Sequence, residues 1–271
     1  MRYKLLAADM DGTLLNSQSI MTERTKSAIL AAMARGVLFV PSTGRPMMGL
    51  KRYITAFEGD LPLILFNGAM AVTAKSGRVL FSQGLDFSCA EVIFSQGVAR
   101  GYPVIAWAGE VLFVSCDNEE TSTYQKITGA EVHVIGDMEP VRGLGNARDG
   151  RVVTKMLWII PPEEAKRLRD EMLGILGGRV NCHTSMPYLL EFVDVKASKG
   201  LALAAVGEAY GIAREEMIAV GDGYNDVPML EYAGLGVAMG NAPEDIKGMC
   251  QAVTLGNDED GVAKVIEEYL L

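Results

Sequence analysis

Two aspartates one residue apart, Asp9 and Asp11, stand between the apolar run at 5–8 and the pair Gly12-Thr13. Carboxylates that close raise each other's pKa unless a cation lies between them, so the spacing asks for positive charge. A second acidic stretch, GDGYND at 221–226, offers Asp222 and Asp226 as further oxygen donors of the kind that a hard cation such as Mg²⁺ takes. The Asn225 side-chain amide beside them can donate to a phosphate oxygen. In STGR at 42–45, the Thr43 hydroxyl and the Gly44 N–H both suit an equatorial phosphoryl oxygen. Lys199 would neutralise charge that builds up during phosphoryl transfer. Together these residues describe a phosphate-and-magnesium site. Asp9 is its nucleophile, and Asp11 is its general acid on the leaving oxygen and then its general base on water.

Each stretch alone also fits something plainer. A lone DxDG is compatible with a surface loop, GDGYND with an acidic turn capping the next helix, STGR with an ordinary loop, and Lys199 with a solvated lysine. An EF-hand is disfavoured because Gly12 falls fourth from Asp9, where that loop needs glycine sixth. GLGNAR at 143–148 fails the GxGxxG spacing, lies between no evident strand and helix, and reads as a loop.

Periodicity supplies the elements that must position these groups. YKLLAA (3–8), VLFVP (37–41), LILF (63–66) and MIAV (217–220) are short apolar runs of buried-strand type, and three of the four candidate stretches directly follow one. Thr22 is placed to N-cap a helix with Ala28, Ile29, Ala32 and Met33 on one face, ending at Gly36. KGLALAAVGEAYG (199–211) reads as a helix that starts at Lys199 and ends at Gly211. Further on, VPMLEYAG (227–234) is helical, LGVAM (235–239) is strand-like, and Asn241 with Glu244 resembles a capping box. Strand, helix, strand in this rhythm implies right-handed crossovers and a parallel sheet, which binds ligands beyond the C-terminal ends of its strands.

From about 83 to 190 the pattern changes. CAEVIFSQGVARG, DNEETSTYQK and the segment from Pro161-Pro162 to Leu176 read as helices; YPVIAW, EVLFVS, KMLWII, VNCHTS and YLLEFV read as strands, whose short turns imply an antiparallel sheet. The predicted fold is α/β: a doubly wound parallel-sheet, Rossmann-like core over 1–82 and 191–271, with an inserted α+β domain over 83–190.

With 49% hydrophobic and 22% charged residues the composition is that of a soluble globular protein. A net charge of -9 argues against nucleic-acid or anionic-membrane partners, so local cations must receive an anionic substrate. The longest apolar runs, such as MLWII at 156–160, are far short of a membrane span, and Asp9 and Asp11 interrupt the N-terminal one; a cytoplasmic protein is expected. Cys89, Cys116, Cys182 and Cys250 form no CxxC pair and read as free thiols, while His133 and His183 match neither zinc-ligand spacing nor a histidine triad.

In this order, DMDGT, TGR, SKG and GDGYND, followed by AGLGVAMGNA and NDEDGVA, resemble the haloacid dehalogenase superfamily of aspartyl-phosphate phosphatases. The insertion between TGR and SKG makes the chain similar, over nearly its whole length, to the Cof-type subfamily with a type IIB cap. The resemblance implies Mg²⁺-dependent hydrolysis of a small phosphorylated metabolite, sugar phosphates foremost, through an aspartyl-phosphate. It makes Asp9 a metal ligand as well as nucleophile and puts the Asp11 carbonyl on the metal beside Asp222 and Asp226. Met10, Thr43, Gly44, Lys199 and Asn225 become the phosphate-binding set, and NGA at 67–69 lies near the site mouth. An aspartate at the second acidic position favours phosphate esters over dehalogenation. In the cap, Asn118, Tyr124, Lys126, His183 and Ser185 are the polar candidates for choosing the substrate. A phosphosugar mutase or transferase and a non-catalytic phosphometabolite sensor are the other functions compatible with these motifs.

Overall fold

The computed structural model of the chain describes residues 2–142 and 153–271, so GLGNAR lies outside the described residues. Among these, five strands come first: β1 (Leu5–Asp9), β2 (Leu38–Ser42), β3 (Pro62–Leu65), β4 (Met70–Thr73) and β5 (Val79–Ser82). Six follow: β6 (Val104–Ala108), β7 (Val111–Val114), β8 (Glu131–Val134), β9 (Val153–Ile159), β10 (Val180–Met186) and β11 (Leu189–Asp194). Then come β12 (Met217–Gly221), β13 (Leu235–Ala238) and β14 (Ala252–Val253). They form an eight-stranded sheet, β14-β13-β12-β1-β2-β3-β4-β5, and a six-stranded sheet, β10-β11-β9-β6-β7-β8. The chain divides into two units, Met1–Phe81 with Ser198–Leu271, and Ser82–Ala197.

In the first unit the strands from β14 to β3 pair in parallel. β1 lies in the middle, Leu5 to Ala8 facing Met217 to Val220 on one side and Leu38 to Pro41 on the other. All five of its residues are buried. A strand covered on both faces has to be continuously apolar, which is why the run before Asp9 shows no alternation. The flanking helices start where side-chain caps allow. The Thr22 hydroxyl accepts the Thr25 N–H ahead of Glu23–Ala34, and the Ser198 hydroxyl accepts the Gly200 and Leu201 N–H groups ahead of Lys199–Tyr210, which Gly211 ends at φ +66°.

Two features of this unit escape the periodicity. β4 pairs antiparallel with β3, and β5 extends that edge; the four residues of β4 are all buried, so they carry no period of two. The expected Asn241–Glu244 capping box is absent: Glu244–Met249 starts after Pro243 with no side-chain cap, because Asn241 is bonded elsewhere.

The second unit packs the helices Phe87–Ala99 and Ala165–Leu176 with Met156, Trp158 and Phe192 of its sheet. Its pairing is antiparallel from β10 to β7. The expectation of a wholly antiparallel sheet fails at the edge, where β8 lies parallel to β7 after a crossover through the helix Glu119–Thr128. β8 reads Glu-Val-His-Val with no buried position, and its two alternating valines make a run too short to stand out in the sequence. β11 runs through residue 191 as an interior strand of this sheet.

Residues alternating with the helix-facing set include Trp107, Lys155 and Glu191, and the last two form a buried ion pair (Nζ–Oε1 2.9 Å). His183 Nε2 lies 3.5 Å from the other Glu191 oxygen. Burial pushes the Glu191 carboxyl up, but Lys155 and His183 outweigh it and hold the group down at about 2. A folded-state value below the ordinary 4.5 means stability that is present above that pH and lost as pH falls toward 2. The two tryptophans of the chain, Trp107 and Trp158, both lie in this unit, so their fluorescence reports its unfolding. Glu191→Gln is expected to destabilise the unit at neutral pH by on the order of 3 kcal/mol, leaving the Lys155 ammonium buried without its counter-charge. The gap to wild type should close as pH is lowered through the acid range; a gap independent of pH would mean that the carboxylate charge does not matter.

Candidate active site

β12, β1 and β2 are parallel neighbours, so GDGYND, DMDGT and STGR leave the same end of the sheet side by side. Asp9 ends β1 only 5% exposed, and Lys199 and Asp226 are fully buried. Lys199 Nζ donates to Asp9 Oδ1 and to Asp226 Oδ1, at 2.5 Å each. Asp226 Oδ2 accepts the Asp222 and Gly223 N–H groups at 3.0 and 2.9 Å, which fixes the GDGYND turn. Asp222 Oδ1 accepts the Thr13 hydroxyl at 2.8 Å. One oxygen from each of Asp9, Asp222 and Asp226 falls within 4.8 Å of the others.

The charges do not balance. Burial and the Asp226 carboxylate push the Asp9 pKa well above its ordinary value, with Lys199 opposing them. Burial also raises Asp222, against the Thr13 hydrogen bond. It would lower Lys199, but Asp226 and Asp9 outweigh it and keep the ammonium protonated. Three carboxylates around one ammonium are short of positive charge, and their donors are all oxygen; a small hard dication such as Mg²⁺ fits that set. Both Asp226 oxygens already accept hydrogen bonds, whereas Asp9 Oδ2 accepts none among the described residues.

The carboxylate of Asp11 stands apart from this group. Its side chain is 52% exposed and forms a two-pronged pair with Arg45, Nε to Oδ2 at 2.8 Å and Nη2 to Oδ1. The Arg45 guanidinium also lies over the Tyr53 ring, 5.7 Å from its centroid. Thr43 is buried; its N–H donates to the Ile64 carbonyl, and its hydroxyl accepts the Arg45 N–H at 3.1 Å, leaving the hydroxyl proton to point elsewhere. Against Gly44 lies the Asn67 side chain, 2.9 Å from where a Cβ would stand. Asn67 in turn accepts the Asn225 amide at 3.1 Å, so NGA and GDGYND meet. The Met10 side chain is fully buried, leaving its backbone as the part that can meet a ligand.

In the second unit, Asn118 caps the helix Glu119–Thr128 by accepting the Thr121 N–H, Lys126 is exposed, and His183 contacts Glu191. The Tyr124 hydroxyl accepts Trp107 Nε1 at 3.1 Å, and its side chain lines a cavity of about 610 Å³ with Tyr102 and Tyr188. The Ser185 side chain lies outside the described residues. Sequence reasoning missed Thr13, which orients Asp222, and Arg45, which holds Asp11, although both stand inside quoted motifs. Neither residue type by itself signals a partner that only folding brings near.

The family model for haloacid dehalogenase-like hydrolases matches residues 6–266, and the chain belongs to that family. It is 29% identical over 270 residues to 5-amino-6-(5-phospho-D-ribitylamino)uracil phosphatase YitU of Bacillus subtilis, covering 98% of this chain and 97% of that one. Among solved structures, TM0651 from Thermotoga maritima superposes with a TM-score of 0.82 at 30% identity, over 98% and 97% of the two chains. BT4131, described as a subclass IIB sugar phosphatase, gives a TM-score of 0.75 at 25% identity over 98% of each. The resemblance drawn from the motifs is therefore the right one. Among the described residues no helix is long and apolar enough to cross a membrane.

Gly68, in NGA, has φ +90°, and a Cβ there would stand 2.2 Å from the Ser198 carbonyl carbon and 2.3 Å from the Lys199 nitrogen. The missing side chain lets the helix that carries Lys199 come this close. Gly68→Ala is expected to cost about 2–4 kcal/mol, combining backbone strain with overpacking, and to lower activity through a displaced Lys199. Chemical denaturation alongside turnover checks both effects; wild-type values in both would show that the close approach is dispensable.

Proposed function

We propose that the chain is a Mg²⁺-dependent phosphatase of small phosphorylated metabolites, sugar phosphates foremost, acting through an aspartyl-phosphate on Asp9. One observation carries the reading: a buried aspartate at a strand end has one oxygen held by a buried lysine at 2.5 Å and the other uncommitted among the described residues. Asp9 Oδ2 attacks phosphorus and the ester P–O bond breaks, with Asp11 supplying the proton to the leaving oxygen. In the second step Asp11 takes a proton from water as that water attacks phosphorus, and phosphate and free Asp9 result. The Thr43 hydroxyl, the Gly44 N–H and the Asn225 amide hold phosphoryl oxygens, and Lys199 offsets their charge. Asp9, Asp222 and the Asp11 carbonyl would hold Mg²⁺, with Asp226 supporting them; once bound, the cation supplies further charge neutralisation on the phosphoryl group.

Asp11 can serve only after it leaves Arg45, so the side chain turns between an outward, paired position and an inward, reacting one. Support for the substrate class comes from BT4131 and YitU, whose described substrates carry phosphate on a polyhydroxylated carbon chain. Residues 82–197 form the inserted cap in this reading and supply the contacts that select the ester.

The test is inorganic phosphate release from phosphosugars, nucleotides, flavin mononucleotide and pyridoxal phosphate, with Mg²⁺ or with chelator. We expect Mg²⁺-dependent release, best with a sugar phosphate, and a loss of about 10³-fold or more in Asp9→Asn. That variant should stay folded, since Lys199 retains Asp226. Near-wild-type release by Asp9→Asn would overturn the nucleophile assignment, and an isomerised phosphosugar in place of free phosphate would replace the phosphatase with a mutase.

A further inference from the structure

Two asparagines from the C-terminal part of the chain reach back to the loop after Asp9. Asn241 Nδ2 donates to the Gly12 carbonyl at 2.9 Å and lies 3.5 Å from Asp222 Oδ2. Its Oδ1 accepts the Asn257 N–H at 3.0 Å, and Asn257 Nδ2 donates to the Leu15 carbonyl at 3.0 Å. The network determines the orientation of the Asn241 amide. A backbone N–H can only donate and a backbone carbonyl can only accept, so flipping the amide would break both bonds and set an oxygen against Asp222.

Asp222 is thereby enclosed. The Thr13 hydroxyl holds Oδ1 at 2.8 Å, and Gly12 packs so close to Oδ2 that a Cβ there would stand 2.4 Å from it. The Asn241 amide spans that same backbone and that same oxygen. Asn257 braces the same loop two residues beyond Thr13 but touches Asp222 nowhere among the described contacts.

We infer that Asn241 is a positioning residue for the cation site, setting the direction of the Asp222 carboxylate through Oδ2 and the Gly12 carbonyl. Mg²⁺ needs near-ideal octahedral geometry at short distances, so the orientation of a ligand carboxylate feeds directly into affinity. Partners in the shell behind a metal ligand are typically worth about 10- to 100-fold in binding. This inference rests on the Mg²⁺ reading above, and a direct binding measurement separates the two.

The experiment titrates Mg²⁺ alone by calorimetry into wild type, Asn241→Ala and Asn257→Ala, with the fold checked by near-ultraviolet circular dichroism. Asn241→Ala should weaken Mg²⁺ binding about 10- to 100-fold. Its turnover should fall at limiting Mg²⁺ and recover as Mg²⁺ saturates, moving the metal half-saturation point with little change in kcat. Asn257→Ala should bind Mg²⁺ within about twofold of wild type. If Asn241→Ala does not fold, Asn241→Ser, which stays polar but lacks the reach to Asp222, takes its place with the same expectation. Unchanged affinity in the Asn241 variant would overturn the inference and leave the metal reading standing. Equal weakening by Asn257→Ala would overturn it too, because the effect would then be general loosening of the loop. Absence of binding by wild type would overturn the metal reading itself, and this inference with it.

Discussion

Everything around the candidate site depends on one buried cation, the Lys199 ammonium held between Asp9 and Asp226. Taking these charges out of water costs several kcal/mol per ion, and only close contacts that satisfy the remaining lone pairs offset that cost. The surrounding structure meets this condition group by group. Ser198 caps the helix at whose first residue Lys199 stands; Gly68 lets that helix approach the NGA turn; and two backbone N–H groups complete Asp226. Removing the lysine would leave two buried carboxylates facing each other, so the fold of this region and its charge state are one problem.

The same balance explains why the site suits a cation and an anion together. One ammonium cannot neutralise Asp9, Asp222 and Asp226, and burial, with the neighbouring carboxylates adding to it, raises the Asp9 and Asp222 pKa values. A dication removes the excess negative charge, and the site can then accept a phosphoryl dianion that the bare carboxylates would repel. The net charge of -9 opposes the approach of an anion, so this attraction is local.

How much of this could be read from the sequence follows from the range of each interaction. The apolar run of β1, the cap at Thr22 and the glycine at 211 are local features, and the elements they predict are present. The convergence of three motifs was legible too, because parallel strands place their C-terminal ends together whatever the details of packing. The remaining partners were hidden by distance along the chain. Asn241 and Gly12 are 229 residues apart, and Asn241 read locally fits a helix cap that it does not make. Arg45 stands inside a quoted motif, yet nothing in STGR says that its side chain meets a carboxylate 34 residues earlier. β8 was hidden for another reason: it is a four-residue edge strand, and the alternation of Val132 and Val134 is too short to separate it from a loop.

Burial sorts the acidic groups into those that are locked and those that water can release. Asp9 and Asp226 are locked by a lysine that water cannot reach, and a buried ion pair opens only by stranding charge in a medium that cannot solvate it. Asp11 and Arg45 form an equally well-shaped pair, but their side chains are 52% and 28% exposed, so water solvates either partner once they separate. Exposed pairs of this kind contribute roughly 0–1 kcal/mol, little enough for ligand binding to reverse. The two-step reaction proposed above needs this division: a nucleophile whose position never changes, and an acid that can swing to the leaving oxygen and then serve water. Placing the first at the end of a central strand and the second two residues on, past the last sheet pairing, lets one short stretch of chain provide both.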